Sequence, residues 1–79
     1  MPGRVRLGMA AETASQRIPE RYATVEPDGE DACIVSTRAS WTTEFLVWMA
    51  MMDAPMRVLE PPEFVEAARS MVARLAEAA

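Results

Sequence analysis

Two adjacent prolines near the end of the chain constrain its fold more than any other feature. A short apolar segment, residues 56–59, runs into Pro61 and Pro62, and a strongly periodic segment follows at once. Proline has a fixed φ and no N–H, so Pro61 ends a strand and Pro62 suits the first turn of a helix. The pattern predicts a strand at 56–59 and an amphipathic helix at Pro62–Ala78, with an apolar stripe of Phe64, Ala68, Met71 and Leu75.

The rest of the chain alternates between strand and helix patterns. Apolar and polar residues alternate in three short segments, and the Asp28-Gly29 pair between two of them favours a hairpin turn. Ser40 is the predicted N-cap of the central helix. The predicted elements are strands at residues 4–9, 22–26 and 32–39 and helices at residues 11–18 and 41–52.

The order β-α-β-β-α-β-α predicts the fold class. Two strand–helix–strand units that share a hairpin form an α+β, ferredoxin-like split β-α-β-β-α-β sandwich, because each crossover is right-handed. The expected sheet order is 4-1-3-2, with two helices on one face and an additional C-terminal helix. We expect residues 1–79 to be one such domain, with residues 1–3 disordered or foreign to the native protein.

Size and composition indicate a module that associates with a neighbour in the bacterial cytoplasm. A domain of this size buries only about 60% of the surface of its unfolded chain, so a partner surface usually adds stability. Cys33 is the one cysteine, and no export signal or membrane-spanning run is recognisable. Every basic residue is arginine, which is typical of a GC-rich bacterial genome. The net charge of −4 is a poor match for a nucleic-acid backbone.

The residue types argue against an enzyme. The chain has no histidine, so the commonest general base and every Ser-His or Cys-His pair are absent from the sequence. Cys33 lies in the middle of a predicted strand and is interpreted as a buried structural thiol. The acids around Asp28 are interpreted as a solvated hairpin tip, because their spacing does not fit a calcium loop. We therefore expect no catalytic residue, no metal and no cofactor.

Strand alternation predicts one basic sheet face on this acidic domain. If the apolar strand residues face the helices, several arginines lie together on the opposite, open side. Arginine binds carboxylates and phosphates through its planar fork, so the hypothesis is an anionic ligand or an acidic partner surface. The alternative is a solvated face whose arginines pair with scattered acids. The candidate residues are Arg4, Arg6, Arg38 and Arg57.

The predicted central helix is apolar on all sides. A stripe of Trp41, Phe45, Trp48 and Met52 would suffice to cover a small sheet. Three further apolar residues would then lie outside it, and an exposed apolar patch usually marks an interface. The alternative is that the closing helix covers them. The candidate interface residues are Leu46, Met49 and Met51.

The tail carries a family resemblance. The segment Met56-Arg57-Val58-Leu59-Glu60-Pro61-Pro62-Glu63-Phe64, followed by an amphipathic helix, resembles the close of the C-terminal extension, or WCX domain, of WYL-domain transcriptional regulators. The order of the upstream elements is similar too. Two features depart from the family pattern: the chain has Met52-Asp53-Ala54 where a glycine is usual before the last strand, and it lacks the terminal tyrosine.

The resemblance implies a function for the chain. It implies an excised, non-catalytic C-terminal module that serves in effector sensing and dimerisation. The expected partners are the WYL domain and the winged-helix DNA-binding domain of a parent chain, and a second copy. We expect no direct contact of this module with nucleic acid or membrane. The alternative is a stand-alone ferredoxin-like homodimer that binds a small anionic metabolite.

Overall fold

The computed structural model describes residues 2–79, which form a four-stranded antiparallel sheet and three helices. The strand order is β2-β3-β1-β4, which confirms the predicted topology of a ferredoxin-like sandwich with a C-terminal helix. The elements are β1 (Pro2–Leu7), α1 (Ala11–Arg17), β2 (Ala23–Pro27), β3 (Cys33–Ser40), α2 (Thr43–Ala50), β4 (Met56–Glu60) and α3 (Pro62–Ala78).

Strand alternation builds the core as predicted. In β1, Val5 and Leu7 are fully buried while Arg6 is exposed, and in β3 the buried residues are Cys33 and Val35. Successive side chains on a strand point to opposite faces, so these residues line one side of the sheet. The helices cover that side and contribute the rest of the core, which includes Ala14, Phe45, Leu46, Met49, Met52 and Phe64.

Gly3 fits into a bulge between β1 and β3. Pro2 pairs with Ser40 but Arg4 pairs with Ser36, so Gly3 faces three residues of β3. The Gly3 N–H donates instead to the Thr37 hydroxyl oxygen at 2.8 Å. Pro2 and Gly3 thus belong to β1, and Met1 lies outside the described residues. That residues 1–3 are disordered or foreign to the native protein stays a prediction.

Gly3 also permits a close approach of side chains. A Cβ atom at this position would lie 2.6 Å from the Trp41 Cβ and 2.7 Å from Cε2 of Phe64. Such distances are far inside van der Waals contact, so a larger residue would displace the start of α2 or α3. The beginning of β1 is thus part of the packed core rather than an extension of it.

Helix α2 begins later than its sequence pattern predicted. Ser40 is the last residue of β3 and pairs with Pro2, so it is not the N-cap. The cap is Thr42, whose hydroxyl oxygen accepts the Phe45 N–H at 3.2 Å. Trp41 therefore lies before the helix, in the segment that joins it to the sheet.

The proline junction is as predicted. Strand β4 ends at Glu60, the buried Pro61 follows through a cis peptide bond, and Pro62 occupies the first turn of α3. Phe64, one turn into the helix, is fully buried and stacks on Trp41 with ring centroids 4.9 Å apart. The junction therefore directs the start of α3 back onto the sheet.

Candidate functional site

The predicted basic face is present, but most of its arginines already have partners. An Arg4 Nη1 lies 3.1 Å from Oε1 of Glu60, and the Arg6 Nε lies 2.7 Å from Oδ2 of Asp28. All four of these side chains are about half exposed, so each pair contributes roughly 0–1 kcal/mol. The face is thus closer to the alternative of arginines paired with scattered acids.

The other two arginines of that face differ from each other. Arg38 donates from Nε to the backbone carbonyl of Glu20 and lines a shallow cavity beside β2. Arg57 has no ion pair or hydrogen bond described within residues 2–79, and it lies directly opposite Arg6 on the neighbouring strand. Like charges in that position repel each other. The hypothesis of an anionic partner therefore stays a prediction, and Arg57 is the residue best placed to meet it.

Helix α2 buries a different stripe from the predicted one. Leu46 is 3% exposed and Met49 is 0% exposed, so the prediction that they lie outside is wrong. Met51 is 74% exposed, as predicted. The two tryptophans are half-buried, Trp48 on the helix and Trp41 in the segment before it. The buried face of α2 is therefore centred nearer Met49 than Trp48, which was the predicted centre.

The two tryptophans contact different parts of the fold. Trp41 stacks on Phe64 of α3, while Trp48 meets Tyr22 edge to face with ring centroids 5.7 Å apart. Val47 and Met51 remain the exposed apolar residues of α2. The apolar surface offered by this helix is therefore smaller than its sequence predicted.

Helix α3 presents a larger apolar surface because it is longer than the strand beside it. Its 17 residues span about 25 Å at 1.5 Å per residue. The 5 residues of β4 span about 17 Å. Helix α3 is thus about 8 Å, or one and a half turns, longer than β4. Val72 and Leu75 in its second half are 65% and 63% exposed. We call the segment 72–79 the overhang.

A groove between β4 and α3 continues the apolar surface of the overhang. It measures about 400 Å³, and Arg69 is its only charged lining residue. The predicted stripe of α3 is thus buried at Phe64, half-buried at Ala68 and Met71, and exposed at Leu75. The full lining consists of Met56, Val58, Val65, Ala68, Arg69 and Val72.

A further concavity lies beside the first half of α2. This aromatic cleft also measures about 400 Å³ and is lined by Tyr22, Thr37, Ala39, Ser40, Thr42, Glu44, Phe45 and Trp48. Sequence reasoning missed the cleft, because Tyr22 and Trp48 come from elements far apart in the chain. A pair of aromatic residues at the start of β2 and on α2 was the only available signal.

The single thiol, that of Cys33, lines neither the groove nor the aromatic cleft. Cys33 is fully buried in the sheet, as predicted. Burial raises the pKa of its thiol, and the nearby Arg6 guanidinium lowers that pKa only in part. The neutral thiol is therefore the form that the fold favours, which is typical of a structural cysteine.

Comparison with protein families decides which family the chain represents. The family model for the WCX domain matches residues 2–76, a range that contains the whole sheet and nearly all of α3. The chain belongs to the WCX domain family. It is thereby grouped with domains associated with WYL-type regulators. No solved structure matches it.

One departure of this WCX domain from the family pattern has a structural counterpart. Where a glycine is usual between the second helix and the last strand, Asp53 has a φ of 55°. This is the left-handed region that glycine adopts freely and that aspartate tolerates better than most residues. The turn therefore keeps a glycine-like backbone without glycine.

Within residues 2–79 of this WCX domain, no helix combines the length and the apolar character needed to cross a bilayer. Its longest helix, α3, carries both acidic and basic side chains along its length.

Proposed function

We propose that this WCX domain is the non-catalytic C-terminal module of a bacterial WYL-type transcriptional regulator, and that it serves in subunit association and effector sensing in the cytoplasm. The observation that carries the proposal is the apolar overhang of α3 beside the β4–α3 groove. Family membership supports the regulator, and the lack of histidine supports a role other than catalysis.

The overhang favours association because the sheet leaves its apolar residues mostly uncovered. Val72 and Leu75 are mostly exposed, and both belong to the apolar side of α3 that packs on the sheet nearer the helix start. Burying such a side chain against a partner contributes about 1.5–3 kcal/mol. A second copy that covered the overhang and the groove would gain this contribution twice by symmetry.

The apolar residues of α3 fit a particular arrangement of two copies. If two α3 helices pack antiparallel about a two-fold axis at Ser70, Val65 lies opposite Leu75 of the second copy and Ala68 lies opposite Val72. At 100° per residue, Glu66 and Arg74 lie on the other side of α3, so no charge from them enters these apolar contacts. We therefore propose an antiparallel α3 pair as the association interface.

Light scattering coupled to size-exclusion chromatography tests this interface. The wild-type domain is expected to show a mass that rises from monomer to dimer with concentration. Val72→Asp places a charge in the interface and is expected to give a monomer at every concentration. Ala73→Asp adds the same charge on the adjacent, solvent-facing side of α3, and is expected to behave as wild type.

Two outcomes would refute the association proposal. One is a wild-type domain that remains monomeric at every concentration. The other is an equal loss of dimer in Val72→Asp and Ala73→Asp, because a specific interface must distinguish the two sides of the helix. Circular dichroism of both variants separates loss of association from loss of folding.

Sensing requires that an effector distinguish two arrangements of the regulator. A ligand shifts such an equilibrium only by its difference in affinity for the two states. We propose that the module changes the relative position of two subunits, and so of the DNA-binding domains attached to them. The module itself is not expected to bind nucleic acid, which agrees with its net charge of −4.

The second candidate is a stand-alone homodimer that binds a small anionic metabolite on the open sheet face. Arg57 favours it, because this cation lies opposite Arg6 and has no ionic partner described within residues 2–79. Titration with inorganic phosphate, followed by NMR, would support this candidate if shifts centred on β4 and were lost in Arg57→Gln. Shifts scattered over all exposed arginines would count against it.

A further inference from the structure

We propose that the aromatic cleft binds a small organic ammonium ion, that is, a positively charged nitrogen carried on an apolar body. This inference deepens the proposed function by giving a ligand class for effector sensing, and it depends on that function only for the regulatory role of binding. It concerns a different surface from the overhang and the groove.

The walls of the cleft suit a cation with an apolar body. The Tyr22 and Trp48 rings stand at 82° to each other, so they form a right-angled aromatic corner. Phe45 and Ala39 add apolar surface, and the volume of about 400 Å³ lies in the range of small-molecule sites. Aromatic faces attract ammonium groups through their quadrupole, as in cages that bind quaternary ammonium ligands.

Three hydroxyl-bearing residues of the cleft, Thr37, Ser40 and Thr42, already have partners. The Thr37 hydroxyl accepts the Gly3 N–H and donates to the carbonyl oxygen of Ala39 at 2.6 Å. The Thr42 hydroxyl oxygen caps α2 by accepting the Phe45 N–H. Ser40 also has an interaction partner. These groups therefore have less capacity left to select a neutral polar ligand.

Glu44 supplies the charge that selects a cation. It is the only charged residue that lines the cleft, and no ion pair or hydrogen bond is described for its side chain within residues 2–79. An anion would be repelled by this carboxylate and would find no cation along the lining. The electrostatics of the cleft therefore favour an ammonium ion over a carboxylate or a phosphate.

Arg21 does not line the cleft but lies over the Tyr22 ring, and its charge is opposite to that of Glu44. Its guanidinium carbon lies 4.8 Å from the centre of the Tyr22 ring, which shows that this ring accepts a cation on its face. A bound ammonium ion would be repelled by Arg21 and attracted by Glu44. The two residues therefore provide a test of the sign of the ligand charge.

NMR titration with benzyltrimethylammonium chloride tests the inference. The probe is expected to shift the amides of Thr37 and Phe45 and the indole N–H of Trp48, while the indole N–H of Trp41 stays in place. Phenylacetate has a similar ring and the opposite charge, and it is expected to bind at least about tenfold more weakly, because Glu44 in the lining would repel its carboxylate.

Three single substitutions test whether the charges next to the cleft, and not a general change in surface charge, determine the affinity for the probe. Glu44→Gln is expected to weaken the affinity for benzyltrimethylammonium about fivefold, and Arg21→Gln is expected to strengthen it by a smaller factor. Glu63→Gln is the matched control, since Glu63 lies in the first turn of α3 and does not line the cleft. It is expected to leave the affinity unchanged.

The outcomes that would overturn the inference are equally specific. Phenylacetate binding as tightly as the ammonium probe would overturn it, as would equal effects of Glu44→Gln and Glu63→Gln. Probe shifts confined to residues outside the cleft would also overturn it. Repeating the titration on Val72→Asp keeps this result separate from the association proposal, because Val72 lies on α3 and does not line the cleft.

Discussion

At the scale of single residues, the Thr37 hydroxyl replaces a strand contact that the bulge in β3 removes. Thr37 is buried, and its oxygen both accepts from Gly3 and donates to the carbonyl of Ala39. A buried N–H without an acceptor is costly, so the bulge depends on this one side chain. No buried side-chain polar atom within residues 2–79 lacks a partner.

Thr37→Val keeps the shape and the strand preference of the side chain but removes its hydroxyl. We expect the free energy of unfolding to fall by about 1–3 kcal/mol, because the Gly3 N–H loses its acceptor. Urea denaturation followed by circular dichroism measures the change. Thr24→Val, on the open face of β2, is the control and is expected to stay within about 0.5 kcal/mol of wild type.

Asp53 offers a stabilising substitution at the same scale. Its φ of 55° is left-handed, and this conformation costs an ordinary L-residue about 1–2 kcal/mol relative to glycine. Asp53→Gly is therefore expected to raise the free energy of unfolding by up to about 1 kcal/mol. Asp31→Gly, an exposed loop aspartate without a positive φ, is expected to give no gain, and an equal gain there would contradict the explanation.

At the scale of elements, helix α2 illustrates how a helix start is decided. Ser40 and Thr42 both suit an N-cap by residue type. Pairing of Ser40 with Pro2 extends β3 to that residue, and the helix then begins at Thr43. The later start leaves Trp41 outside the helix, and the buried face of α2 includes Leu46 and Met49.

The cap of α2 gives a prediction that distinguishes neighbouring threonines. Thr42→Ala removes the acceptor of the Phe45 N–H and is expected to lower the free energy of unfolding by about 1 kcal/mol. Thr43→Ala, at the first helical position, is expected to have little effect. Thermal unfolding of the two variants measures the difference, and an equal loss in both would show that Thr42 is not the effective cap.

A second feature at this scale is that α3 is longer than β4. The amphipathic pattern predicts a helix but carries no information on how much of its stripe the sheet can cover. Phe64 is fully buried and Leu75 is mostly exposed, although both belong to the same predicted stripe. The proposed interface follows from this mismatch of lengths.

At the scale of the whole molecule, size and charge bear on how the domain functions. Association would add stability that this small domain otherwise lacks, since binding to the folded state alone shifts the folding equilibrium. Two of the four arginines of the open face are paired with acids, so the basic face is weaker than its residue count indicates. The apolar overhang and the aromatic cleft are the more specific features.

The fold class and sheet order were predictable from sequence because they depend on local periods and on the right-handed crossover. Alternation in β1 and β3, the Asp28-Gly29 turn and the two prolines each constrain a few neighbouring residues. Together they leave few possible topologies. For the same reason the burial of Cys33 and the bounds of α3 were predicted correctly.

The candidate surfaces depended on the tertiary structure. The cleft needs Tyr22 beside Trp48, and the salt bridges need Arg6 beside Asp28, which are contacts between residues distant in the chain. The sequence by itself determined the periods of strands and helices and hence the topology. Only packing decided which face of α2 is buried, where α3 leaves the sheet and which charges meet, because these depend on the volumes of side chains brought together from different elements.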